Sequence, residues 1–478
     1  MKSETSLAQA APAERTLLDT LLHPRSIAII GASTNPEALG GRPLGFLDAY
    51  EFAGEVYPVN PNSETVQGHR AYRSILDVEA PVDLALVVVR AALVPAVLQE
   101  CADAGVGAAI VVSSGFGEGM GEGDQLTASV AEIVERTGLR VLGPNCEGVA
   151  SLPDSAPVTF SPVLDIHRSG RRLEAGDIAV VSQSGGVGFA IAQWGAAVGL
   201  GFNYIVTTGN ELDVDSVEIA EGLVEDDQVT AIVLVMEGVR DLGRFAALAA
   251  RARDAGTRLV VAKMGRTEAG ARGALAHTRH VTGPESDYEA IFEEFDVVQP
   301  RSMDELVDVL QAITKTRRAP GGDRVGIMTT SGGAGVWLAD TFSAAGYSVP
   351  ALSPGTSAAL AEYMPRYGSP ANPVDLTAQF LAGGSFATPL QALAESGEVD
   401  LVVLSTSLSS AGRLLGDKAA LARLVAGSPV PIAIYSYTSP APSSVEILNE
   451  LRVPWYTDAV RAARGLAALI DGGARVRN

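Results

Sequence analysis

Two stretches of this chain repeat a turn that could hold an anion. GDIAVVSQSGGVG (176–188) and DRVGIMTTSGGAG (323–335) each run an apolar segment into Ser-Gly-Gly-x-Gly. Ser184, Gly185 and Gly186 in the first, and Ser331, Gly332 and Gly333 in the second, set small residues and a hydroxyl where a strand gives way to a helix. Consecutive N–H groups can converge there on a phosphate, and two helix N-termini could hold one phosphate from two sides. The same glycines would also let strand and helix pack closely, which explains one loop better than it explains two. A third loop, Gly31-Ala32-Ser33-Thr34-Asn35-Pro36 with Gly40-Gly41-Arg42 behind it, closes the first apolar run, SIAII. Its glycine permits a tight turn that brings amides to a pyrophosphate, although the full GxGxxG is absent. A purely structural turn is the alternative.

Carboxylates and thiols narrow the chemistry further. Strand two ends Val56-Tyr57-Pro58-Val59-Asn60-Pro61, without the Asp or Glu that a nicotinamide ribose requires. That disfavours NAD and suits a ligand whose ribose carries a phosphate, as coenzyme A does. Glu237 ends the run Ala-Ile-Val-Leu-Val-Met, at the C-terminal edge of a buried strand, where open α/β sheets build their sites. Glu211, in Gly-Asn-Glu, competes with it, and either could instead cap a helix. Cys101 and Cys146 are the only cysteines; Cys146 reads as a packing residue, since no histidine lies near it in sequence.

These residues need a scaffold, and the chain is long enough for several. Its 478 residues suggest three domains, and 35 basic against 56 acidic residues give a net charge of −21. So acidic a chain lacks the basic face that nucleic acid or an anionic membrane demands. Two cysteines make no disulfide framework, the N-terminus has no secretory pattern, and no run is long enough to span a bilayer, so a cytoplasmic protein is expected. Short Val/Ile-rich runs that end in Gly, Pro, Ser or Asn alternate with helix-like stretches, the mark of doubly wound α/β units. Ser184 and Ser331 are 147 residues apart, so the second and third units read as an internal repeat. Polar, Pro/Gly-rich KTRRAPGGD (315–323) separates them, and a softer boundary falls near 146–176. Three α/β domains are expected, at 1–150, 151–316 and 317–478.

At this point the motifs resemble a family. GASTNP, VYPVNPN, VVSSGFGE (111–118), LGPNC (142–146), VSQSGGVG, TTGNELDVD (207–215), MEGVRD (236–241), KMGRTEAGARGALAHT (263–278), TTSGGAGV and NPVDLT (372–377) are similar, in order, to the signature stretches of the NDP-forming acyl-CoA synthetases, relatives of succinyl-CoA synthetase. The resemblance covers nearly the whole chain. It implies a Rossmann-like CoA-binding domain followed by two flavodoxin-like, succinyl-CoA synthetase-like domains. The family's ATP-grasp module, which binds ATP or ADP with magnesium, is not matched, so the resemblance implies an α subunit that works with a separate ATP-grasp β subunit in an oligomer. The implied reaction is carboxylic acid + CoA + ATP = acyl-CoA + ADP + phosphate.

The same resemblance assigns roles. His277 falls at the position of the phosphohistidine that relays the phosphoryl group, a task suited to a ring that is neutral and nucleophilic near pH 7. Glu237 matches the glutamate that orients it. Gly31, Ala32, Ser33, Asn35, Pro36, Arg42, Asn60, Ser114, Gly115 and Asn145 fall on the CoA-binding stretches, with Asn145 a donor to the acyl carbonyl or phosphate. The family reads Ser-His-Thr-Gly where this chain reads Ala276-His277-Thr278-Arg279-His280. Arg279 either pairs with phosphate or carboxylate or blocks the relay. The second case would leave a non-catalytic CoA or acyl-CoA binder.

Overall fold

The computed structural model describes residues 15–116, 122–277, 283–382 and 385–470. Two units emerge from it, the first made of Met1–Phe160 with Glu211–Val214, the second of Ser161–Asn210 with Asp215–Asn478.

In the first unit the apolar runs become β1 (Ser26–Ile30), β2 (Glu55–Val59), β3 (Leu84–Val87), β4 (Ala108–Val111) and β5 (Arg140–Leu142). They pair in parallel in the order β2-β1-β3-β4-β5. Every residue of β1, β3 and β4 is buried, as expected of strands covered by helices on both faces. Because side chains alternate along a strand, Ala28, Ile30, Ala85, Val87, Ala109 and Val111 pack one face together with Leu98 and Val130. Helix α1 (Arg42–Ala49) follows the loop after β1. Distant Glu211–Val214 joins this unit because Leu212 and Val214 donate to the carbonyls of Gly143 and Val141, and Arg140 pairs with Asp213 at 3.0 Å.

The second unit holds two sheets of one design. β6 (Ile178–Ser182), β7 (Phe202–Thr207), β8 (Ala231–Met236) and β9 (Arg258–Lys263) run parallel in the order β7-β6-β8-β9. Then β10 (Val325–Thr329), β11 (Val374–Asp375), β12 (Leu401–Thr406), β13 (Ile432–Ser436) and β14 (Trp455–Tyr456) run in the order β11-β10-β12-β13-β14. In both, the first strand lies between the second and the third. The chain therefore leaves the first strand on one side and returns on the other, and this switch point opens a crevice at the strands' carboxyl ends. Helices used below are α2 (Gly185–Ala197), α3 (Glu268–His277), α4 (Glu285–Glu294), α5 (Met303–Lys315) and α6 (Gly332–Ala344). No helix among the described residues is long and apolar enough to cross a membrane.

Candidate active site

In the first unit the loop after β1 is closed by its own backbone. Gly31 and Ala32 donate to Val59 O, Ser33 to Gly40 O, and Ala38 to Asn35 O. Asn35 N donates to Ser33 Oγ, and Glu37 N to Asn35 Oδ1. Gly31 has φ +92°, and a Cβ there would lie 2.2 Å from Val88 O; only glycine makes this turn. Asn60 Nδ2 donates to Ala32 O while its Oδ1 accepts from Asn62 N. Gln67, which the sequence reading passed over, donates to Ser33 O and Gly41 O at 2.9 and 3.0 Å. Most of the loop's polar groups are thus spent on holding its shape.

A free cation remains at its end. Arg42 opens α1, which has no side-chain N-cap and no acidic residue in its first turn, and among the described residues Arg42 makes no ion pair. A cation at a helix N-terminus opposes the macrodipole; Arg42 N–H is bonded to Ala38 O and Pro43 has none, so the guanidinium, not the helix amides, is what this end offers an anion. Ser114 and Gly115 are exposed beyond β4. Pro36 is exposed as well. Asn145, at φ +61°, donates its N–H to Ser113 O. Cys146 is buried, its Sγ donating to Val111 O at 3.4 Å, so it packs. Burial also pushes the Cys101 thiol up to about 12.

At the first switch point of the second unit, α2 starts without a side-chain cap and without an acidic residue in its first turn. The turn before it is held by Ser182 Oγ, which donates to Ser184 O at 2.6 Å and accepts from Ser184 N at 3.1 Å. The second repeat does the same with Thr329, whose Oγ1 donates to Ser331 O at 2.9 Å and accepts from Ser331 N at 3.0 Å. α6 is likewise uncapped, and at Gly333 a Cβ would meet nothing within 4 Å. Two equivalent uncapped helix N-termini suit phosphate oxygens; at the second the Asp375 carboxylate stands beside Gly332, its Oδ2 2.9 Å from where a Cβ there would lie.

Beside Ser184, Glu237 follows β8 and is buried. Gln183, inside VSQSGG yet not singled out from sequence, accepts from Glu237 N at 2.6 Å and donates to Gly238 O at 2.7 Å. Lys263 Nζ, at the end of β9, donates to Glu237 O at 2.7 Å and Met264 O at 2.8 Å and lies 4.8 Å from the Tyr288 ring centre. Desolvation draws this lysine down to about 8, against the opposing pull of Glu285 and Glu237. His277 is the last residue of α3; Arg279 and His280 lie outside the described residues. Glu211 belongs to the first unit and is buried at φ +52°. No group of three or more His, Cys, Asp or Glu among the described residues could hold a metal.

Known families match this layout. A CoA binding domain matches residues 25–151, a succinyl-CoA ligase like flavodoxin domain 175–313 and a ligase-CoA domain 325–409. These define an acid–thiol ligase of the succinyl-CoA ligase type. The α subunit of acetate–CoA ligase [ADP-forming] II from Pyrococcus furiosus is 31% identical over 461 residues, 95% of this chain and 98% of that one, and that of form I is 32% identical over 95% and 97%. Acetate–CoA ligase [ADP-forming] I of Archaeoglobus fulgidus is 33% identical, but its match covers 63% of its length. The dinucleotide forming acetyl-coenzyme A synthetase 1 of Ca. Korarchaeum cryptofilum, solved with phosphate and ADP, superposes with a TM-score of 0.83 at 28% identity over 95% of this chain and 96% of that one. The chain belongs to the family of ADP-forming acetate–CoA ligase α subunits.

Proposed function

We propose that this chain is the CoA-binding, phosphohistidine-bearing subunit of an ADP-forming acyl-CoA synthetase, with acetate the first acid to try. Residues 1–150 bind CoA through the β1 loop and Arg42, 151–316 carry His277 and Glu237, and 317–478 supply the second phosphate-facing turn at Ser331, Gly332 and Gly333. The observation that carries this reading is the buried Glu237, held at a switch point beside the uncapped N-terminus at Ser184, Gly185 and Gly186. A carboxylate fixed there can accept from one ring nitrogen of histidine, setting the tautomer and stabilising the charged phosphohistidine.

Each step balances. In the acyl-CoA-consuming direction a phosphate oxygen attacks the thioester carbonyl and expels CoA thiolate, giving acyl phosphate. The histidine nitrogen then attacks phosphorus and releases the carboxylate. The phosphoryl group passes finally to ADP with magnesium on an ATP-grasp partner, a separate chain in an oligomeric, cytoplasmic enzyme. The longer Archaeoglobus relative, of which this chain matches 63%, supports a further module, and the α-subunit names of the Pyrococcus relatives support its being a separate chain.

The test is incubation of the protein with acetyl-CoA and radiolabelled inorganic phosphate. Acid-labile label on the wild type, and none on His277→Ala, is the expected result. Label that survives His277→Ala sinks the assignment, and CoA binding without any label on the wild type leaves the non-catalytic binder.

A further inference from the structure

We infer that Gln183, Lys263 and Tyr288 form a positioning clasp that serves the catalytic carboxylate of Glu237. The inference rests on the role proposed for Glu237.

Three side chains from three elements hold one short loop. Gln183 Oε1 accepts from the N–H groups of Glu237 (2.6 Å) and Gly238 (3.4 Å), and its Nε2 donates to Gly238 O at 2.7 Å. Lys263 Nζ takes Glu237 O. Tyr288 Oη, from α4, accepts from Val239 N at 3.1 Å, and its ring lies beside the Lys263 ammonium. All three side chains are buried. The backbone from Glu237 N to Val239 N is thereby fixed at both ends and in the middle. Burying an amide, an ammonium and a phenol is costly unless each is bonded, so the site is built rather than incidental. All three act through Glu237.

The internal repeat supplies a comparison. Strand registers align the two sheets residue by residue: Ser182 pairs with Val235 as Thr329 pairs with Ser405, and Met236 with Lys263 as Thr406 pairs with Ser436. Gln183 N donates to Val235 O just as Thr330 N donates to Ser405 O. A Cβ at Gly188 would crowd Ser182 at 2.9 Å, and one at Gly335 would crowd Thr329 at 2.7 Å. The hydroxyl bracket and the close helix approach recur, so they belong to the fold. Gln183, Glu237 and Lys263 do not recur; their counterparts are Thr330, which bonds Thr406 and Tyr437, and Ser407 and Ser436, which both bond Thr438. In the second repeat Leu408, the counterpart of Gly238, is held by hydroxyls instead, its N–H donating to Ser436 Oγ and Thr438 Oγ1 and its O accepting from Ser444 Oγ; only the loop that carries a carboxylate is held by an amide, an ammonium and a phenol.

The test uses the acetyl-CoA and labelled-phosphate reaction on Gln183→Met, Lys263→Met, Lys263→Arg and Tyr288→Phe, with Glu237→Gln as reference. Expected are labelling rates at saturating acetyl-CoA lowered about 100-fold in Gln183→Met and Lys263→Met, a KM for acetyl-CoA within about twofold of wild type, partial recovery in Lys263→Arg, and a smaller loss in Tyr288→Phe. Amide hydrogen exchange is measured on the same proteins without substrate, and peptides spanning 237–239 are expected to exchange faster in Gln183→Met and Tyr288→Phe. Folded Gln183→Met and Lys263→Met that label at the wild-type rate overturn the catalytic role of the clasp. Unchanged exchange overturns the clasp itself. If Glu237→Gln labels like wild type, or wild type takes no label, the reading of Glu237 has failed, and exchange still decides whether the loop is held by these side chains.

Discussion

A glycine can be present for the backbone it permits or for the space it leaves, and here the two cases separate cleanly. At Gly31 both the positive φ and the 2.2 Å approach to Val88 O exclude a side chain. Gly31→Ala is expected to cost roughly 3 kcal/mol in the stability of the first unit, read by denaturant unfolding. Gly333 has an ordinary backbone and open surroundings, so Gly333→Ala is expected to change stability by less than about 0.5 kcal/mol. A drop in phosphohistidine formation in that variant would therefore report on phosphate binding alone; unchanged labelling would remove Gly333 from the proposed site. From sequence the two residues look alike, because both stand in Gly-rich turns after apolar strands. What distinguishes them is the carbonyl of a neighbouring strand.

At the level of elements, helix ends carry the proposed anion binding. α1 begins with Arg42 instead of a carboxylate, a choice that costs helix stability unless an anion arrives. Arg42→Gln is expected to leave the melting temperature unchanged or slightly raised while weakening CoA binding about tenfold, equivalent to about 1.4 kcal/mol, as measured by calorimetry. If CoA affinity is untouched, the loop after β1 is a structural turn only. The strands, the α2 and α6 turns and the repeat were legible from sequence because apolar runs and Ser-Gly-Gly are local signals. The clasp was not, because Tyr288 follows Val239 by 49 residues, and nothing in its neighbourhood announces a partner.

For the whole molecule, charge and burial set the response to conditions. A chain of net charge −21 repels polyanionic ligands at long range, so affinity for CoA must come from local groups. Raising salt from about 0.01 M to about 0.15 M shortens the screening length from about 30 Å to about 8 Å. CoA affinity is expected to hold or improve over that range; a steep loss would reveal a basic attracting field instead. Within the second unit, Lys315 of α5 is buried and donates to Val198 O at 2.5 Å and Asn449 Oδ1 at 3.3 Å, tying the two sheets' surroundings together. Burial first, and Arg452 second, draw it down to about 7. Between that value and the ordinary lysine value the folded state binds fewer protons than the unfolded one, so Lys315 makes stability rise with pH through this window. Urea unfolding from about pH 7 to about pH 9 is expected to show a shallower rise in Lys315→Met than in wild type. An identical slope would mean that the ammonium is not penalised by its burial.

The sequence by itself determined the class of fold, the repeat and the candidate turns, since strand period, apolar length and glycine placement are properties of consecutive residues. The preference for Glu237 over Glu211 came from its place at the end of a buried strand together with the family resemblance. Tertiary structure decided the rest. It assigned Glu211–Val214 to the first unit through hydrogen bonds to β5, spent Asn60 on holding the β1 loop, and brought Gln183, Lys263 and Tyr288 around Glu237. The physical reason is strand order: β8 and β9 lie in sequence order, but β8 sits beside β6 only because β7 is placed on the other side. That arrangement comes from burying both faces of the whole sheet at once, and no stretch of consecutive residues encodes it.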